Sequence, residues 1–155
     1  MTKKRYTRTI AGPRLDPKQE GIIAEVTAIV QKARSELGVE DLAAHLADDA
    51  VYEAQTVLEP IIGKSAVVSY LRERFDFLRG LQASRDIGAL VYGRVDLPKA
   101  ADYPCLIFLA EGKRQALWVV SVDSESKISR IDILTVAPTP DEARIDRSRN
   151  DVLDL

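Results

Sequence analysis

The chain has 155 residues, 46% of them hydrophobic and 30% charged, with a formal net charge of −2 at pH 7. That is one domain's length with enough apolar side chains for a core, and so balanced a charge excludes an overall basic field for nucleic acid or a membrane surface. One cysteine, Cys105, and one histidine, His45, exclude an intramolecular disulfide and leave too few N and S ligands for a zinc site.

Lys3, Lys4, Arg5, Arg8 and Arg14 come before the first acid, Asp16, so residues 1–15 read as a flexible basic arm. The charged start is followed by no apolar run of the signal-peptide kind, and no stretch approaches the ~18 apolar residues of a membrane span. A cytoplasmic location is the expectation. Asp16-Pro17-Lys18-Gln19 has the chemistry of a helix start: a carboxylate for an orphan N–H, a proline at the first position, and a glutamine where a capping-box partner belongs. Ile22, Val26, Ile29, Val30, Ala33 and Leu37 then recur at three-and-four spacing, and Gly38 is expected to close this helix in a left-handed cap.

A second, short helix carries Leu42, Ala43 and Leu46 and stops near Asp48-Asp49, a pair expected to satisfy backbone groups at the turn into a strand. From Val51 to Thr56 the period is two, with Tyr52, Ala54 and Thr56 on one face and Val51, Glu53 and Gln55 on the other. Pro60 and Gly63 mark a loop. Residues 64–79 form a third predicted helix, with Val67, Leu71, Phe75 and Leu78 inward and Gly80 closing it.

Residues 86–95, 104–111, 114–123 and 128–136 are β-rich, and the turns Glu111-Gly112-Lys113 and Ser124-Glu125-Ser126-Lys127 join the last three as hairpins. Residues 96–103 read as a longer connection. Cys105, inside the run Cys105-Leu106-Ile107-Phe108-Leu109, reads as a small buried hydrophobe. Residues 138–155 are expected to be a mobile tail, or to form a short surface helix from Asp141. Three helices followed by a mostly antiparallel sheet make an α+β domain over residues 16–137. A strongly curved, cone-shaped sheet wrapped on those helices leaves a pocket at its open end.

The run Leu46-Ala47-Asp48-Asp49-Ala50-Val51-Tyr52-Glu53, then Gly63-Lys64-Ser65-Ala66-Val67, and Lys127-Ile128 before the last strand, resemble the nuclear-transport-factor-2-like superfamily. That group includes SnoaL-like polyketide cyclases and ketosteroid isomerases, and its fold is the cystatin-like α+β cone. The resemblance spans residues 17–137 and implies a homodimer formed through the sheet. As a guide to chemistry it says little, because one scaffold hosts many reactions. Set against ketosteroid isomerase, the catalytic aspartate falls at Ala54, the oxyanion-hole acid falls near Trp118, and the first helix has no tyrosine. The isomerase reading fails on those three positions. A scytalone-dehydratase reading needs a pair of histidines, and only His45 exists. An epoxide-hydrolase reading needs an Asp-Arg-Asp set, for which Asp132, Arg130 and the distant Asp123 are the available residues.

The same alignment turns Tyr52, Ala54, Thr56, Ala116, Trp118, Val120, Ile131, Ile133 and Thr135 toward the cavity, and Arg130 and Asp132 to the opposite, dimer-forming face. Candidate ligand-binding residues are therefore Tyr52, Ala54, Leu71, Phe75, Trp118, Ile131 and Ile133. Candidate catalytic residues are His45, Tyr52 and Asp132, each with a bland alternative: a partly exposed helix histidine, a core phenol and a surface ion pair. No Gly-rich phosphate loop or Cys/His cluster calls for a cofactor or metal. Three functions stay open: a binder of a small, largely apolar molecule, an enzyme of the same scaffold acting on a hydrophobic substrate, and a dimeric interaction module with a filled cavity.

Overall fold

The computed structural model describes residues 17–150 except 56–58, 99 and 137. The basic arm, the Asp16 cap, Thr56 and residues 151–155 lie outside the described residues. Helix α1 (Pro17–Glu36) and the short α2 (Glu40–His45) precede strand β1 (Leu46–Ala54) and the two-residue β2 (Ile61–Ile62). Helix α3 (Lys64–Leu81) follows, then β3 (Ala89–Leu97), β4 (Ala100–Ala110), β5 (Lys113–Val122), β6 (Ile128–Leu134) and β7 (Arg144–Ile145). The sheet order is β2-β1-β6-β5-β4-β3-β7; β1 runs parallel to β6, and every other pair is antiparallel. This is an α+β architecture in which α1 packs across β3, β4 and β5, and α3 across β1 and β2.

Local chemistry moves several boundaries. Helix α1 ends one residue before the expected cap: Leu37, with φ 55°, takes the left-handed position, and the Gly38 N–H donates to the Ala33 carbonyl at 3.0 Å. A left-handed leucine costs about 1–2 kcal/mol. Leu37 is only 3% exposed, and its burial offsets that with about 1.5–3 kcal/mol. Gly80 does not stop α3, which runs on to Leu81. Asp48 and Asp49 are exposed residues within β1 rather than turn residues, because β1 already begins at Leu46 and carries an irregularity between Leu46 and Val51.

The expected long connection 96–103 is mostly strand. Leu97 pairs with Ala100, so β3 and β4 form one hairpin, and Pro104 sits inside β4 opposite Arg94. The missing N–H of Pro104 is accommodated near an irregularity where Asp102 has φ 58° and donates its N–H to Asp96 Oδ1 at 2.9 Å. The Glu111-Gly112 turn has φ 54° and 74°, the two left-handed residues that a tight β-hairpin requires.

The segment expected as a mobile tail or surface helix is instead a built part of the sheet through Asn150. The chain leaves β6, makes a short 3-10 turn at Pro140–Glu142 against β5, and pairs β7 with β3 at Gly93 and Arg94. The Arg114 Nη1 donates to the Ala143 carbonyl at 2.6 Å on the way. Asn150 then closes the β3 edge: its Oδ1 accepts from the Tyr92 N–H at 2.7 Å and its Nδ2 donates to the Tyr92 carbonyl at 2.8 Å. Composition hid this, because the segment holds its place by backbone pairing rather than by an apolar stripe.

On the outer face of the sheet, where the dimer is expected, several side chains are buried within one chain while Arg130 stays 35% exposed. Leu117, Val119 and Leu134 are each 0% exposed, and Asp132 is 1% exposed. Among the described residues no helix is long and apolar enough to cross a membrane.

Candidate functional site

Strand register decides which side chains share the inner face. Tyr52 pairs with Ile131 and Ala54 with Ile133; Ile133 pairs with Trp118, and Phe108 with Ala116. These residues look toward α3, whose three-and-four spacing buries Val67, Leu71, Phe75 and Leu78. Between them lies a cavity of about 290 Å³. Its floor is Trp118, Ala116 and Ile133, one wall is Leu71, Phe75 and Leu78 of α3, and Tyr52 and Phe108 face each other across the sheet.

Tyr52 and Trp118 meet edge-on, with ring centroids 6.3 Å apart and planes at 81°. Tyr70 from α3 leans on the other side of Tyr52, at 5.1 Å between centroids. Burial pushes the Tyr52 phenol well above the usual range, the neighbouring Tyr70 adds to that shift, and Arg74 opposes it. Tyr52 is therefore a proton donor and never a phenolate under physiological conditions.

Two guanidinium groups also belong to the wall, Arg34 from α1 and Arg74 from α3. Arg34 is 5% exposed; its Nη2 donates to the Ile87 carbonyl, and its guanidinium carbon lies 5.5 Å from the centre of the Phe108 ring. Desolvation, then the charge of Arg74, pulls the Arg34 pKa down. Arg74 lies over the exposed ring of Phe77, at 5.6 Å.

Of the ligand-binding candidates, Tyr52, Leu71, Phe75, Trp118 and Ile133 come together around this cavity. Ala54 and Ile131 share the inner face without lining the cavity; Ile131, 1% exposed, is core beneath it. The catalytic candidates are not brought together. Asp132 lies on the outer face, held by Arg130 at 3.0 Å, and the same guanidinium reaches Glu53 at 2.8 Å. His45 has its Nδ1 at 2.8 Å from the Asp41 carbonyl and lines a separate depression with Lys32, Glu36 and Glu40. Alternation along β6 and the position of α2 ahead of β1 separate these groups from Tyr52. Among the described residues no carboxylate or imidazole lines the cavity, and no cluster of three or more His, Cys, Asp or Glu is arranged to hold a metal.

Sequence reasoning missed Arg34, Tyr70, Arg74, Phe108 and Gln115. Arg34 had a readable signal: it follows Val30 by four residues, so it sits on the apolar face of α1 where a charge is out of place. Tyr70 and Arg74 are likewise four apart, each one residue ahead of an inward Leu71 or Phe75. Gln115 reaches the cavity because the β4–β5 register shifts between Phe108 and Leu109, which no periodicity announces.

A larger groove of about 470 Å³ runs between α1 and β3, lined by Gln31, Lys32, Gly88, Leu90, Arg149 and Asn150 among others. We take the cone as the functional site because its walls combine aromatic faces with a few polar groups, whereas no aromatic side chain is among the described residues lining the groove, which Arg34 also borders.

No protein-family model matches the chain. No characterised protein matches it by sequence. Solved structures do. A SnoaL-like protein of unknown function from Burkholderia thailandensis superposes with a TM-score of 0.57 at 13% identity, covering 76% of this chain and 97% of that one. A steroid delta-isomerase from Pseudomonas aeruginosa superposes with a TM-score of 0.54 at 17% identity, covering 74% and 80%. A de novo designed protein with a curved β-sheet gives 0.51 at 19% identity, covering 80% and 89%. Identities this low carry the fold and no chemistry. Register, helix placement and superposition agree on that level: the chain shares the α+β fold of the SnoaL-like protein and the steroid delta-isomerase.

Proposed function

We propose that this chain binds a compact, largely apolar small molecule in its cone, in a cytoplasmic setting on the sequence grounds given above. One observation carries the reading: Tyr52 and Trp118 stand edge to face at 6.3 Å beside an open volume of about 290 Å³ rather than packing it shut. Close packing is the rule in protein interiors, so an unfilled hollow lined by aromatic rings is better suited to a ligand than to core structure.

The enzyme reading, a cyclase, isomerase or epoxide hydrolase on a hydrophobic substrate, keeps a narrower support. Tyr52, held protonated by burial, is able to donate to a carbonyl or epoxide oxygen, while His45 and Asp132 lie away from it. The interaction module and the homodimer through the sheet have less support, because Leu117, Val119 and Leu134 are already buried in the single chain.

The test is a titration with prodan, an uncharged naphthalene probe whose emission shifts to the blue in apolar surroundings. Saturable binding to the wild type, abolished in Ala116→Phe, supports the proposal, since that ring would occupy the cone. Binding that survives Ala116→Phe unchanged refutes it.

A further inference from the structure

Arg34 is a cation that the fold has taken out of water with no anion beside it among the described residues. It is 5% exposed, and among the described residues its contacts are the Ile87 carbonyl and the Phe108 ring, with no carboxylate. Five of the ten other described arginines are handled differently: Arg72, Arg79, Arg94, Arg130 and Arg144 each face an acid within 4 Å. A buried charge persists where something compensates it, because desolvating an unpaired ion is expensive. Here a second cation makes matters worse. Arg74 converges on the same cavity, and its field opposes the charge on Arg34. Two like charges at one hollow, with no acid among the lining residues, leave an electropositive apolar chamber.

We propose that the cone selects an organic carboxylate, its anionic end between Arg34 and Arg74 and its apolar body on Trp118, Tyr52 and Phe75. The inference rests on the small-molecule reading given above and adds the chemical class of the ligand. A carboxylate matches the guanidinium fork, and a single delocalised charge is cheaper to desolvate than a phosphate dianion in a chamber with so few polar groups. Arg34 borders both the cone and the groove between α1 and β3; one Nη donates to the Ile87 carbonyl, and a guanidinium carries further N–H donors beyond that bond. Tyr52, whose pKa burial and the neighbouring Tyr70 raise, adds no competing negative charge. The volume, about ten water-sized units by comparison with ~30 Å³ per water, suits a mono- or bicyclic acid.

The test is calorimetric titration with naphthoate and with its neutral isostere naphthamide, against wild type, Arg34→Gln, Arg74→Gln and Arg34→Lys. The expected result is that wild type prefers naphthoate by roughly tenfold or more. Each glutamine variant should lose most of that preference. Arg74 is exposed, so Arg74→Gln carries the test even if Arg34→Gln fails to fold, and Arg34→Lys should keep part of the preference. Equal or tighter binding of naphthamide by the wild type overturns the carboxylate inference and leaves the pocket standing. A preference for naphthoate unchanged in Arg74→Gln and Arg34→Lys also overturns it. Binding of neither compound overturns the pocket reading itself.

Discussion

Gly88 ties the stability of the fold to the shape of the cone. It has φ 80°, its N–H donates to Asp86 Oδ1 at 2.8 Å, and a Cβ built on it would lie 2.6 Å from Phe108 Cζ and 2.9 Å from the Leu109 carbonyl. Gly88→Ala therefore incurs two separable costs. Holding alanine in the left-handed region costs about 1–2 kcal/mol. Forcing the Phe108 ring aside adds about 1–3 kcal/mol of overpacking. The stiffer unfolded chain returns only about 0.4–1 kcal/mol. The net loss is about 3 kcal/mol, which in a domain of this size lowers Tm by roughly 6–12 °C. Gly112 is the control, because it has φ 74° and nothing within 4 Å of its built Cβ. Gly112→Ala should show the backbone cost alone, about 1 kcal/mol. Urea unfolding of both variants reads the difference, and prodan binding by Gly88→Ala should weaken, because Phe108 is displaced toward the cavity it lines. A Gly88→Ala variant no less stable than Gly112→Ala would refute the steric argument and the placement of Phe108.

Asn150→Ala removes both side-chain bonds to the Tyr92 backbone; it should cost about 2–3 kcal/mol and accelerate hydrogen exchange at the Tyr92 amide. An unchanged exchange rate would mean that the C-terminal segment does not close the β3 edge. The Cys105 thiol is 0% exposed and burial pushes its pKa up to about 12, so Ellman's reagent should label it only as fast as the protein unfolds. Rapid stoichiometric labelling of the native protein would contradict that burial. The Asp86 carboxylate accepts from the Glu111 and Gly88 N–H groups, which hold its folded-state pKa below the usual value. Its contribution is present above the unfolded pKa of about 4 and is lost as pH falls through the folded value, so Asp86→Asn should flatten the acid limb of a Tm-against-pH curve. An acid limb of unchanged slope would count against those two bonds.

The elements readable from sequence were those that follow a local rule. The apolar stripe of α3 and the turn at Glu111-Gly112 each reflect side-chain periodicity or backbone sterics, and they reappear in place, while β1 keeps Tyr52 and Ala54 on one face but starts earlier, at Leu46. The apolar half of the cavity followed from these, since Tyr52, Leu71, Phe75, Trp118 and Ile133 keep their faces once the elements are assigned. What escaped depends on distant partners. Leu37 was able to displace Gly38 as the left-handed residue only because the core buries it. Residues 138–150 carry little apolar pattern, and their order comes from pairing with β3, which the local sequence does not encode. The charged half of the cavity escaped for a related reason: Arg34 and Arg74 lie 40 positions apart and meet only when α1 and α3 are laid on the same sheet.

The most direct measurement is a crystal structure of the wild-type chain grown with prodan. The account predicts ordered density for one naphthalene in the cone, against the Tyr52 and Trp118 rings and bounded by Leu71 and Phe75. Density confined to the groove between α1 and β3, with the cone empty of probe, would contradict it.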